Sequence, residues 1–80
     1  MILGVAIDTP LRRTFDYRAP SDSNPDAIQL GQRVRVPFGR RREVGLIVEC
    51  REKTEVPDAK LRTAIEVIDR DALFDPILLQ

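Results

Sequence analysis

Histidine is absent from this 80-residue chain. With no imidazole there is no His-based general acid or base, no His-containing triad and no His-ligated metal site. Cysteine is nearly absent as well. Cys50 alone can form neither an internal disulfide nor a multi-thiolate zinc site, so nothing points to an oxidising compartment. Long apolar runs are missing too: Ile2–Ile7, which contains a glycine, and Gly45–Val48 are far too short to span a bilayer. No cationic stretch precedes the first apolar segment, as a secretory signal would require. There is no Gly-x-x-x-x-Gly-Lys-Ser/Thr run to cradle a nucleoside triphosphate. The expectation is one cytoplasmic domain over residues 1–80, with no membrane partner.

What the chain has is 42% apolar and 32% charged residues, ordinary values for a globular domain. A core of this size contributes about 3–5 kcal/mol, so a partner or a larger parent chain is an expected source of further stability. The formal net charge is zero, but the charge is unevenly laid out. Residues 1–42 hold eight arginines against four acids, and residues 43–80 hold five basic residues against nine acids. Arginine suits bidentate phosphate contacts and stacking on bases. Such a layout permits a local anion-binding face, and equally a solvated one.

Ile2–Ile7, β-branched and apolar, reads as a buried strand ending at Asp8-Thr9-Pro10. Phe15–Tyr17 reads as a second short strand, and Ser21–Asp26 as a loop of turn formers around Pro25. In Arg33–Phe38, Val34, Val36 and Phe38 share one face while Arg33 and Arg35 share the other, the pattern of a half-buried antiparallel strand. Pro37 marks an edge or a bend. Gly39–Arg42 reads as a hairpin turn, and Glu43–Glu49 as the returning strand with Val44, Leu46 and Val48 on one face. Arg51–Lys60 reads as a polar, mobile loop, and Leu61–Ile68 as a strand with Thr63, Ile65 and Val67 on one side. Asp75-Pro76 has the form of an N-cap followed by proline, opening a C-terminal helix that the chain cuts short. The fold expected is mainly β: a small antiparallel barrel or roll of about five strands with the start of a C-terminal helix.

Three constellations carry chemistry. Phe15-Asp16-Tyr17 sets a flat apolar surface beside a carboxylate and a phenol. Aromatic faces suit base stacking, and a carboxylate accepts hydrogen bonds from hydroxyls and base amino groups; two core aromatics flanking a solvated acid would look the same. Val36-Pro37-Phe38-Gly39-Arg40-Arg41-Arg42 offers a glycine that lets a ligand approach the main chain, then guanidinium groups that reach either phosphate or solvent. Arg62 opens the last strand with a donor for a sugar hydroxyl or a phosphate, or as an exposed edge charge. No nucleophile, metal cluster or partner acid accompanies Asp16, so an enzyme lacks an assembled catalytic set.

Four stretches occur in one order along almost the whole chain: Arg13–Tyr17, Gly31–Gly39, Val44–Val48 and Leu61–Asp69. Together they resemble the amino-terminal DNA-binding domain of primosomal protein N′, the PriA family of bacterial replication-restart helicases. The resemblance implies a β-rich, non-enzymatic module that captures the free 3′ end of a nascent DNA strand at a stalled fork, without regard to base identity. It implies a larger parent with ATP-driven helicase lobes and a zinc site, so that this chain needs no cofactor and meets other primosome proteins only through that parent. It also assigns a terminal-nucleotide pocket to Phe15, Asp16, Gly39 and Arg62, the last standing where the family commonly has lysine. Arg40, Arg41 and Arg42 would add secondary phosphate contacts. The rival reading is an SH3-like barrel binding RNA or protein, based on Gly-x-Arg-Val-x-Val, a turn and Gly-x-Ile-Val.

Overall fold

Period-two alternation sets the strands, and the positions where it fails decide the shape. The structure, a computed structural model, describes residues 1–8 and 13–69. Five strands form, β1 (Ile2–Ile7), β2 (Thr14–Arg18), β3 (Arg33–Phe38), β4 (Arg41–Arg51) and β5 (Glu66–Val67), with a 3₁₀ turn at Pro25–Ala27. They make one antiparallel sheet in the order β2-β1-β4-β3-β5. Leu3, Val5 and Ile7 of β1, Tyr17 of β2, Val34 and Val36 of β3, and Ile47 of β4 form the core, with Ala64 beside them. Burying each of the larger aliphatic side chains is worth about 1.5–3 kcal/mol before the entropy of ordering it. The expected C-terminal helix lies outside the described residues.

Three expectations need correction. On β4 the inward positions are Gly45 and Ile47, while Val44 and Val48 face solvent at 45% and 38% exposure. Gly45 packs so closely that a Cβ there would lie 2.4 Å from Val5 Cγ1 and 2.8 Å from the Ala6 carbonyl, so no larger residue fits at this position. The segment 61–68 is not one strand: only Glu66–Val67 joins the sheet, with an isolated parallel bridge between Arg18 and Thr63. Its buried positions are Leu61 and Ala64, a spacing of three, because the segment changes partner midway. Arg18 N–H donates to the Arg62 carbonyl and Ala64 N–H to the Arg18 carbonyl, after which Ile65 N–H donates to β3 at Arg35. The loop after β4 is tied down rather than loose. Thr54 hydrogen-bonds Asp16, Arg18 pairs with Asp58 at 3.3 Å, and Arg18 Nη1 donates to the Leu61 carbonyl at 2.7 Å.

The sheet therefore curls toward a roll without closing, and β2 faces β3 across a seam. Along β3 the carbonyls of Arg33, Arg35 and Pro37 point to that seam, and the Gly39 carbonyl continues the series. The first two accept backbone donors, Ile68 N–H at 2.9 Å and Ile65 N–H at 2.8 Å. The next two accept side-chain donors, Tyr17 Oη at 2.8 Å and Arg62 Nη1 at 3.0 Å. Pro37 suits this edge because strand N–H and C=O groups point the same way, and proline leaves no orphan donor in the gap. Where backbone pairing gives way to side chains, the seam opens into a cavity.

Candidate nucleic-acid interface

The cavity has a volume of about 230 Å³. Phe15, Asp16 and Tyr17 come from β2, Pro37, Phe38 and Gly39 from the end of β3 and its turn, and Val56, Lys60 and Arg62 from the segment that crosses the seam. All four residues assigned from the resemblance, Phe15, Asp16, Gly39 and Arg62, thus line one space. Phe15 is braced edge-to-face against Phe38, with centroids 5.1 Å apart at 79°, an arrangement that aromatic quadrupoles favour. Phe38 pairs with Arg41, which leaves Gly39 and Arg40 as a two-residue hairpin loop. Such loops need a residue at positive φ; Gly39 sits at +60° with no atom within 4 Å of where a Cβ would be. Its glycine is demanded by backbone conformation, and it leaves main chain open at the cavity mouth.

Asp16 alternates with Phe15 and Tyr17 along β2 and is shared between the lining of this cavity and that of an adjoining cleft. Its carboxylate is held at both oxygens. Arg51 Nη2 donates to Oδ1, and Thr54 Oγ1 donates to Oδ2 at 2.6 Å. The bond to Asp16 pushes the Arg51 guanidinium still further above its ordinary range. Thr54 Oγ1 also accepts from the Val56 N–H at 3.1 Å, so one hydroxyl fixes both the acid and the cavity wall. Asp16, Arg51, Lys53, Thr54 and Glu55 line an adjoining open cleft of about 500 Å³. Burial pushes the Tyr17 phenol above its ordinary pKa, an effect opposed by the nearby Arg62 charge.

The cations divide into two groups. Arg12 and Arg70 lie outside the described residues; of the other eleven basic residues, Arg18, Arg33, Arg35, Arg41 and Arg51 pair with carboxylates. Among the described residues, Arg13, Arg40, Arg42, Lys53, Lys60 and Arg62 have no acidic partner. Lys60 and Arg62 line the cavity, and Arg40 adjoins Gly39. The Arg13 guanidinium lies 5.8 Å from the Phe15 ring centre, and Lys53 lines the adjoining cleft. The arginine triplet is not a single patch. Arg40 occupies the turn, Arg41 lies in register with Phe38 and 3.9 Å from Glu43, and Arg42 faces the opposite side opposite Pro37.

Reading the residue types alone missed Lys60, Val56, Thr54 and Arg51. For Lys60 a signal existed: Lys60 and Arg62 flank an apolar residue, Leu61, whose side chain is buried.

The family model of the 3′ DNA-binding domain of PriA matches residues 4–80. The chain is 40% identical over 76 residues to the replication restart protein PriA of Haemophilus influenzae, covering 95% of this chain and 10% of that protein. It is 34% identical over 77 residues to the replication restart protein PriA of Treponema pallidum, covering 91% of this chain and 12% of that one. It therefore spans about a tenth of the length of these relatives, and with the family model matching nearly all of it, the chain belongs to the PriA 3′ DNA-binding domain family.

Proposed function

We propose that this module holds the last nucleotide of a DNA strand by its free 3′ end, reading the end and not the base sequence. The observation that carries the reading is the convergence of an aromatic ring, a fixed carboxylate, open main chain and unpaired cations on one cavity. Phe15, braced by Phe38, packs against the terminal base; stacking of this kind tolerates every base. Asp16 accepts the 3′-hydroxyl through lone pairs that Arg51 and Thr54 leave unused, since an ionised carboxylate offers about four. Gly39 lets the sugar come against the main chain, and Arg62, anchored to the Gly39 carbonyl, turns its remaining N–H groups to the sugar or last phosphate. Arg40 and Arg42 add weak contacts to neighbouring phosphates.

In this reading the chain works by binding. ATP, zinc and contacts to other primosome proteins belong to other parts of a longer protein, which the module directs to stalled forks. Competition for a fluorescent oligonucleotide tests the idea. A linear strand with a 3′-hydroxyl should compete best. The same strand with a 3′-phosphate, which brings negative charge toward Asp16, should compete poorly, and a closed circle of equal length should compete worst. Circles that compete as well as linear strands overturn the proposal.

A further inference from the structure

Resting on that reading, we propose that Lys60 is a second DNA-binding cation of this site, taking the phosphodiester that joins the last two nucleotides of the bound strand. Lys60 lines the cavity and is exposed to solvent. Among the described residues its ammonium has neither an ion-pair partner nor a hydrogen bond. A strongly hydrated cation left unneutralised at the rim of a cavity holds a favourable potential for phosphate.

Arg62 is placed differently. Its guanidinium spends one donor on the Gly39 carbonyl at 3.0 Å and lies near enough to the Tyr17 phenol to oppose the rise in its pKa. It thus latches the two walls of the seam together, and less of it is free for ligand. Lys60 carries no such duty.

The main chain under Lys60 is fixed although its side chain is free. Lys60 N–H donates to the Pro57 carbonyl at 2.8 Å and Leu61 N–H to the same carbonyl at 3.0 Å, while the Leu61 side chain is buried. This tight turn holds the lysine stem at the cavity edge and leaves only its own rotamers to be ordered on binding. With the terminal sugar against Gly39 and Asp16, the linkage leaving the last nucleotide must pass out over the rim. Of the two cations that line the cavity, Lys60 is the one that no seam contact occupies among the described residues.

A cycle between protein and DNA tests this, with the 80-residue chain, linear and circular oligonucleotides, and a strand whose terminal linkage is an uncharged methylphosphonate. Lys60→Gln should weaken binding of the linear 3′-hydroxyl strand about tenfold. It should also make the salt slope shallower by about 0.7, the share of one neutralised phosphate on a single strand. The methylphosphonate should cost the parent chain a similar factor and the Lys60→Gln chain almost nothing, and Lys60→Arg should restore the phosphodiester preference. Penalties that simply multiply, or a Lys60→Gln chain that binds like the parent, overturn the role of Lys60. The linear-to-circular ratio reads end capture separately, so a preserved ratio with no coupling sinks this inference and leaves the preceding one standing. Thermal unfolding should be unchanged in Lys60→Gln, because the side chain makes no hydrogen bond within the described fold.

Discussion

The two ends of the seam between β2 and β3 are closed by different means. Beside β5, β3 gives its carbonyls to backbone N–H groups, and its arginines are neutralised: Arg33 by Asp69 at 2.9 Å and Arg35 by Glu66. Beside the hairpin, the carbonyls take side-chain donors from Tyr17 and Arg62, and the lining cations Lys60 and Arg62 have no acidic partner among the described residues. A backbone ladder is dense and leaves no room between strands, about 4.8 Å apart. Side chains spanning the same gap hold it wider and leave a hollow. The cavity thus follows from incomplete closure of the roll, and its positive rim follows from Lys60 and Arg62 having no acidic partner among the described residues.

The strongest way to break the contrast is at Phe15. Phe15→Leu keeps apolar bulk against Phe38 but removes the aromatic face. Base stacking is worth about 1–3 kcal/mol, so affinity for a linear strand should fall about 5- to 150-fold in fluorescence anisotropy. The lost edge-to-face pairing should cost only about 0.5–1.5 kcal/mol of stability. Unchanged affinity in a folded variant would mean that the ring is core alone.

A smaller effect is expected at Tyr17. Tyr17→Phe leaves the Pro37 carbonyl without its donor, at a cost of about 1 kcal/mol, or roughly 4–8 °C in Tm for a domain of this size. The pH dependence sharpens the test. Burial raises the phenol's pKa in the fold above its unfolded value, so the unfolded chain loses its proton first. Stability is full below about pH 10 and declines as pH rises from there through the raised folded value. That decline should vanish in Tyr17→Phe, and urea midpoints measured across the alkaline range will show whether it does.

The same contrast explains what could be read in advance. β1 and β3 follow from local patterns, a β-branched run and a strict alternation, and the turn between β3 and β4 from one glycine needing positive φ. The inner face of β4 did not follow, because a valine-rich stripe outbids a glycine in any composition-based reading, whereas the fold needs Gly45 inside for want of space beside Val5 and Ala6. The break within segment 61–68 has no local signal because its partners are non-local: it leaves β2 at Thr63 and joins β3 at Glu66. At the site, Phe15, Asp16, Gly39 and Arg62 carry their chemistry in their residue types and in the family pattern. Thr54 and Arg51 hold Asp16 from 38 and 35 residues away in sequence, and spacing contains no trace of that.

The gentlest probe lies at the paired end. The Arg33 side chain and backbone N–H both donate to Asp69, which holds that carboxyl below its ordinary pKa and raises the Arg33 guanidinium in turn. A carboxyl lowered in the fold contributes stability that is fully present above the ordinary value, about 3.9, and is lost as pH falls from there through the lowered one. Asp69→Asn should therefore be slightly less stable than the parent chain at neutral pH, with the gap closing as pH drops below about 4. Urea midpoints from pH 2 to 7 measure that gap. At neutral pH, DNA affinity should not change, since Arg33 and Asp69 lie away from the cavity lining. A fall in affinity would show that the two ends of the seam are mechanically one, so that opening the backbone ladder also loosens the side-chain bridges at Tyr17 and Arg62.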